Sequence, residues 1–196
     1  MPKSAEQCEE IRKSTKEMIL RKSMIYFAKN GFTGTKIRDL AEYIGIGQGS
    51  LYSYFKSKEE LFLEILKNVN REDSIKQLKM LKLLPVPAKQ KIHILSSKVL
   101  QRLEEDDDFA GTIVLNTQML LEENAIYSSK EYQSELYKYT AKIIKQGQKE
   151  GSVVGGSPTK LANYYWGVVF LYALKKIAGT AYEMIDCNDL KRTLFV

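Results

Sequence analysis

Residues 35–55, TKIRDLAEYIGIGQGSLYSYF, decide the fold. Ile37, Leu40, Ala41 and Ile44 recur at helical spacing and mark one apolar face, with Thr35 placed to cap the start of that short helix. Gly45 then makes a turn, and a second short helix opening at Gly47 carries Leu51 and Phe55. Two short helices about a glycine turn predict a helix-turn-helix, whose second helix enters the major groove of a DNA duplex. The pattern supplies what that motif needs. Ile37, Leu40, Ala41, Ile44, Ile46 and Leu51 lock the helices together from inside. Gly47, Gly49 and Ser50 are small where a backbone must approach phosphates or base edges, while Gln48, Ser50, Tyr52 and Ser53 make the outer face polar.

Outward from this core, every pattern is helical. A first helix is predicted over residues 9–30, with Ile11, Met18, Ile19, Ile25, Tyr26 and Phe27 inward and Gly31 as its stop. Ser57-Lys58-Glu59-Glu60 reads as a capping box for a helix that buries Leu61, Phe62, Ile65, Leu66 and Val69. Leu83-Leu84-Pro85-Val86-Pro87 breaks helical continuity, because proline disfavours helix in the residue before it. The expected domains are therefore 9–70, holding the motif at 35–55, and 87–196. In the second, Ile92, Leu95, Val99, Leu100 and Leu103 mark one helix and Phe109 to Leu121 another. Ser128-Ser129-Lys130-Glu131 is a second capping box, opening a helix that ends at Gly151. Ser157-Pro158 is a helix start, and a short last helix covers residues 189–195. The fold class is all-α: a three- or four-helix DNA-binding domain followed by a larger helical one.

Composition narrows the class further. The chain has 196 residues, is 44% hydrophobic and 28% charged, and carries a net charge of +6. That excludes wholesale disorder. Two cysteines, Cys8 and Cys187, do not make a disulfide framework and favour a reducing, cytoplasmic setting. The most apolar run, Leu161–Leu174, falls short of the roughly 20 residues a membrane helix needs. Charge by itself does not point to nucleic acid: residues 1–70 hold 12 Lys and Arg against 9 Asp and Glu, a net of +3, and the rest hold the other +3. The argument rests on where individual groups project.

The stretch from Ile19 to Leu66 resembles the N-terminal DNA-binding domain of TetR-family transcriptional regulators. Ile19-Leu20, Phe27, Gly31-Phe32, Thr35, Leu40-Ala41, Gly45-Ile46, Gly49, Leu51-Tyr52, Phe55 and Lys58-Glu59 carry the resemblance. It implies that Gln48, Gly49 and Ser50 face base edges, with Gln48 the best reader because its amide both donates and accepts. It implies phosphate contacts for Thr35, Tyr52 and Lys58, flanked by Lys36 and Lys56. Three positions depart from the family pattern. Gly47 replaces a hydroxyl cap, Lys36 replaces a small hydroxyl residue, and Lys22 replaces alanine and is expected to snorkel outward.

In the second domain, the apolar stripe of Leu161–Leu174 is too wide for one neighbouring helix, so a second copy of the chain is expected to cover the rest. The resemblance agrees, implying a four-helix bundle across a two-fold axis. Leu161, Tyr165, Val168, Val169 and Tyr172 are the candidate dimerisation residues, with Ala162, Gly167 and Ala173 allowing close approach. Tyr165, Trp166 and Tyr172 have a ligand cavity as their alternative. The whole reads as a homodimeric regulator of a palindromic operator, released by a small-molecule effector. No enzyme activity, cofactor or metal is expected. Two rival readings stand beside it. One is a metal-dependent all-α enzyme using the acidic cluster 104–108 with Glu122-Glu123; the other is a helical scaffold. The cluster reads more simply as carboxylates at a helix N-terminus, and the single histidine, His93, as structural.

Overall fold

The computed structural model describes residues 5–69, 73–118 and 129–196. The chain divides into two compact units, Met1–Val69 and Asn70–Val196. Each is helical.

The first unit contains α1 (Ala5–Asn30), α2 (Ile37–Ile44), α3 (Gln48–Tyr54) and α4 (Lys58–Val69). The inward face of α1 is Ile19, Ser23, Met24, Phe27 and Ala28, at steps of three and four. Ile11, expected to face inward, is exposed, and Met18, Ile25 and Tyr26 are only half-buried. The helix carries apolar residues all round, so spacing by itself does not select its buried side. Against α1 pack Leu40, Ala41 and Ile44 of α2 and Leu61, Phe62, Ile65 and Leu66 of α4. Phe27 and Phe62 meet edge to face with centroids 5.2 Å apart, and Phe32 lies 4.4 Å from Phe62. Such pairs add about 0.5–1.5 kcal/mol beyond the area they bury.

The second unit contains α5 (Asp73–Leu83), α6 (Ala88–Glu105), α7 (Asp107–Gln118), α8 (Ser129–Lys149), α9 (Pro158–Ala178) and the short α10 (Cys187–Lys191). Helix α5 occupies the stretch expected to be a boundary, and it packs on α8. Small residues let α7 and α9 approach closely: Ala110, Ala162 and Ala173 are all fully buried. Gly147 of α8 meets a similar demand, because a Cβ there would collide with the side chain of Val153. The Ser128–Glu131 capping box falls outside the described side chains. Ser157 caps α9 by accepting the N–H of Lys160, with Pro158 in the first turn.

A polar knot unforeseen from sequence ties α5, α6 and α8 together. Lys91 is almost fully buried, and its ammonium donates to the Lys82 carbonyl at 2.6 Å and to Gln146 Oε1 at 2.9 Å. Gln146 donates onward to Glu150 at 2.6 Å, and Glu150 accepts the N–H of Ala88 at the head of α6. A buried lysine signals its role only through partners that lie far away in sequence.

The acidic cluster proves to be a helix junction. Asp106 ends α6 and accepts the N–H groups of Asp108 and Phe109 at the start of α7. Asp107 pairs with Lys176 at 3.0 Å, and Lys176 also donates to the carbonyls of Leu103 and Glu104. These carboxylates and carbonyls are serving helix ends. Glu122 and Glu123 lie outside the described residues.

Candidate nucleic-acid interface

The candidate surface begins with the turn. Gly45 has φ 88°, a left-handed conformation nearly free only to glycine. Its N–H donates to the carbonyls of Ala41 and Glu42, and the N–H of Ile46 donates to Ala41 at 3.0 Å. This closes α2 in a Schellman turn and sets the exit direction of the chain. The Ile44 carbonyl, at the last residue of α2, is met from α1 by the ammonium of Lys22 at 2.8 Å. Lys22 is exposed, as expected, while its ammonium reaches this carbonyl. It is a cation at the negative end of α2.

Helix α3 then rises from Gly47, which has extended dihedrals and no side-chain cap. Leu51 and Phe55 are buried beneath it. Gln48, Gly49 and Ser50 are exposed, and Tyr52 is 46% exposed with its phenol clear of the core. Beyond its chain neighbours and the helix's own backbone, nothing stands within 4 Å of where a Gly49 Cβ would sit, so the start of α3 presents bare backbone outward. Apolar anchors below and polar groups above give the helix an outward probe. Lys36 and Lys56 are exposed on the neighbouring segments.

Two of the expected phosphate contacts, Thr35 and Lys58, make hydrogen bonds within the fold. Thr35 is only 4% exposed, and its hydroxyl donates to the Gly31 carbonyl at 2.6 Å. It does not cap α2; Lys36 holds the cap position without a side-chain bond. The short Gly31–Lys36 connection needs an internal hydrogen bond to satisfy its backbone, and Thr35 supplies it. Lys58 is half-buried. Its ammonium donates to the carbonyls of Phe32 at 2.9 Å and Thr35 at 3.0 Å and lies 4.4 Å from the Phe32 ring centroid. Two of its three protons thus clamp the α1–α2 connection, leaving one for an outside anion.

The Ser57 box forms with a shift. Ser57 Oγ accepts the Glu60 N–H at 3.1 Å, while the Glu60 carboxylate accepts the Lys56 N–H at 2.6 Å, one residue earlier than the box predicts. The Glu59 carboxyl is held below its ordinary range by its own backbone N–H and then by the Ser57 hydroxyl. These anions stabilise the positive end of α4.

In the second unit, three of the candidate dimerisation residues, Leu161, Tyr165 and Val169, are buried within their own unit. Tyr165 bonds Ser96 of α6 at 3.2 Å, and burial pushes its phenol well above the usual range. Val168 and Tyr172 are half-exposed, and the open apolar side chains of α9 are Tyr164 at 61%, Leu171 at 46% and Leu174 at 38%. Gly167, exposed, lies on that open side, whereas Ala162 and Ala173 are buried inside the unit. Trp166 is likewise core, donating to Thr140 at 3.0 Å. Hydrophobic width alone did not tell the buried side of α9 from its open one.

No helix among the described residues is long and apolar enough to cross a membrane. Residues 19–65 match the family of bacterial regulatory proteins of the tetR type. The chain is 33% identical over 135 residues to the uncharacterized HTH-type transcriptional regulator YerO of Bacillus subtilis, covering 66% of this chain and 43% of YerO. It is 40% identical over 55 residues to the HTH-type transcriptional repressor KstR2 of Mycolicibacterium smegmatis, covering 28% of this chain and 27% of KstR2. These matches span under half the length of either relative. The fold resembles that of AibR, solved in complex with isovaleryl coenzyme A and operator DNA. The TM-score is 0.67 at 13% identity, over 91% of this chain and 94% of AibR. The matched stretch, residues 19–65, which holds the helix-turn-helix, belongs to the tetR family of bacterial regulatory proteins, and the rest of the chain shares their two-unit helical fold.

Proposed function

We propose that this chain is a sequence-specific DNA-binding transcriptional repressor, cytoplasmic and non-enzymatic, that binds a palindromic operator as a homodimer and is released by a small-molecule effector. The observation that carries the reading is α3: Leu51 and Phe55 anchor it while Gln48, Gly49, Ser50 and Tyr52 stand outward. Gln48 and Ser50 are the base-edge readers. Tyr52, Lys36 and Lys56 hold phosphates, and Lys58 chiefly positions the connection ahead of the motif, with one proton left for a phosphate. Thr35 contributes from inside. Tyr164, Val168, Leu171 and Tyr172 form the dimer face. Two copies of α3 then meet successive major grooves about 34–36 Å apart. The AibR complex, which holds both a ligand and operator DNA, supports the effector. An effector acts only through its different affinity for the DNA-bound and free states.

Selection of duplexes from a random pool tests this directly. The expected product is a palindrome whose affinity falls steeply with salt. Recovery of unrelated sequences, or affinity insensitive to salt, overturns the reading.

A further inference from the structure

Asn116, on α7, is 3% exposed, and no donor among the described residues reaches its enclosed amide oxygen. The other polar side chains of the second unit that are as deeply buried have partners. Ser96 bonds Tyr165, Thr140 accepts from Trp166, Lys91 donates to the Lys82 carbonyl and Gln146, and Lys191 meets His93. An enclosed acceptor without a donor works against the fold, because it has given up its bonds to water and gained none. A leucine at this position would bury more apolar surface without that cost, so the amide calls for a partner from outside the chain.

The surroundings of the amide follow from helix register. Lys176, near the end of α9, holds both the last turn of α6 and the first residue of α7. Earlier on α9, Tyr165 meets Ser96, earlier on α6, so those two helices run in parallel. Helix α7 packs on α9 from the shared end and therefore runs back against both. Phe109 lies two turns before Asn116 on the same face of α7, and its ring centroid sits 4.0 Å from the Arg102 guanidinium of α6. Two turns back along α6 from Arg102 is Leu95. The amide thus looks toward α6 among Phe109, Ile113 and Leu95, three half-buried apolar side chains. A buried water needs two to four polar partners, and these three side chains offer none. Nor does a buried cation wait there for an anion. Lys91, one turn before Leu95, is committed to its own partners, and Lys98, one turn after, is exposed.

We propose that Asn116 is the polar contact of the effector site, and that the effector is an uncharged, mainly apolar molecule bearing a hydroxyl. This deepens the ligand-released reading and rests on it. The hydroxyl donates to Oδ1 of Asn116 while the apolar body covers Leu95, Phe109 and Ile113.

1-Hexanol is the probe and its isomer 1-methoxypentane the control, since the ether keeps the size and loses the donor. With the full chain, 1-hexanol should raise the melting midpoint by about 2–4 °C, and the ether should not shift it. Asn116→Leu and Asn116→Val should lose that response while unfolding at a higher urea concentration than the unsubstituted chain, with unchanged slope. Equal shifts from alcohol and ether, or no shift from either, overturn the site. A lower urea midpoint in both variants also overturns it, because the amide is then held by the fold itself. Release is read on a selected duplex: 1-hexanol should weaken binding about fivefold in the unsubstituted chain and leave Asn116→Leu unaffected. Stabilisation by 1-hexanol with unchanged duplex binding overturns the effector role. An untreated chain that binds no duplex instead refutes the regulator reading, while the melting comparison still decides the site.

Discussion

The ammonium of Lys22, on α1, donates to the main-chain carbonyl of Ile44, the last residue of α2, across 2.8 Å. One side chain thereby satisfies an orphan carbonyl and places a cation at the negative end of the helix that leads into the reading turn. Lys22→Met should lower unfolding free energy by about 0.5–1 kcal/mol with an unchanged denaturant slope. It should also weaken operator binding without altering sequence preference, since it touches only the support of α3. A shifted preference in the selected duplexes would show that Lys22 reads DNA itself.

Gln48 and Tyr52 separate reading from holding. Gln48→Ala should relax selectivity at one position per half-site, a loss of about 1–3 kcal/mol of discrimination. Tyr52→Phe should weaken binding across all sequences alike, because the phenol is exposed and carries no sequence information. Removing Lys36 from both copies should flatten the slope of log affinity against log salt by about 2. Quantitative binding to a panel of single-base operator variants at several salt concentrations checks all three.

The open and closed sides of α9 make opposite predictions. Leu171→Glu places a charge on the exposed face and should yield monomers in sedimentation equilibrium, with operator affinity falling in step. Tyr165→Phe removes a buried hydroxyl bonded to Ser96, should cost about 0.5–1.5 kcal/mol of stability, and should leave the dimer intact. A dimer unaffected by Leu171→Glu would move the interface off this helix.

Acid sensitivity is expected from the polar knot. The Glu150 carboxyl is held below the ordinary carboxylate range, first by the Gln146 amide and then by the N–H of Ala88. A carboxyl lowered in the folded state adds stability that is fully present above its unfolded value and is lost as pH falls through the folded one. Stability should therefore be flat through neutral pH and decline below about pH 4.5. Glu150→Gln should blunt that decline in urea titrations taken at successive pH values.

Much of the first unit was legible because its signals are local. The Gly45 turn, the Ser57 cap and the apolar steps of α2 each depend on residues within a few positions, and helix ends are decided by such neighbours. The inward turn of Thr35 was not legible. A threonine before a helix reads as a cap, and only the folded connection shows the Gly31 carbonyl waiting for its hydroxyl.

The linear chain was enough to determine an all-α protein, the place of its helix-turn-helix and the tetR-type stretch that holds it. Periodicity, caps and glycine turns are properties of chain geometry over one or two helical turns. Which side of α1 and α9 is buried, the Lys91 knot, and the enclosure of the Asn116 amide were decided only in three dimensions. Those partners lie tens of residues apart, and a charged or polar side chain acquires its role from whatever the packing of other helices brings beside it.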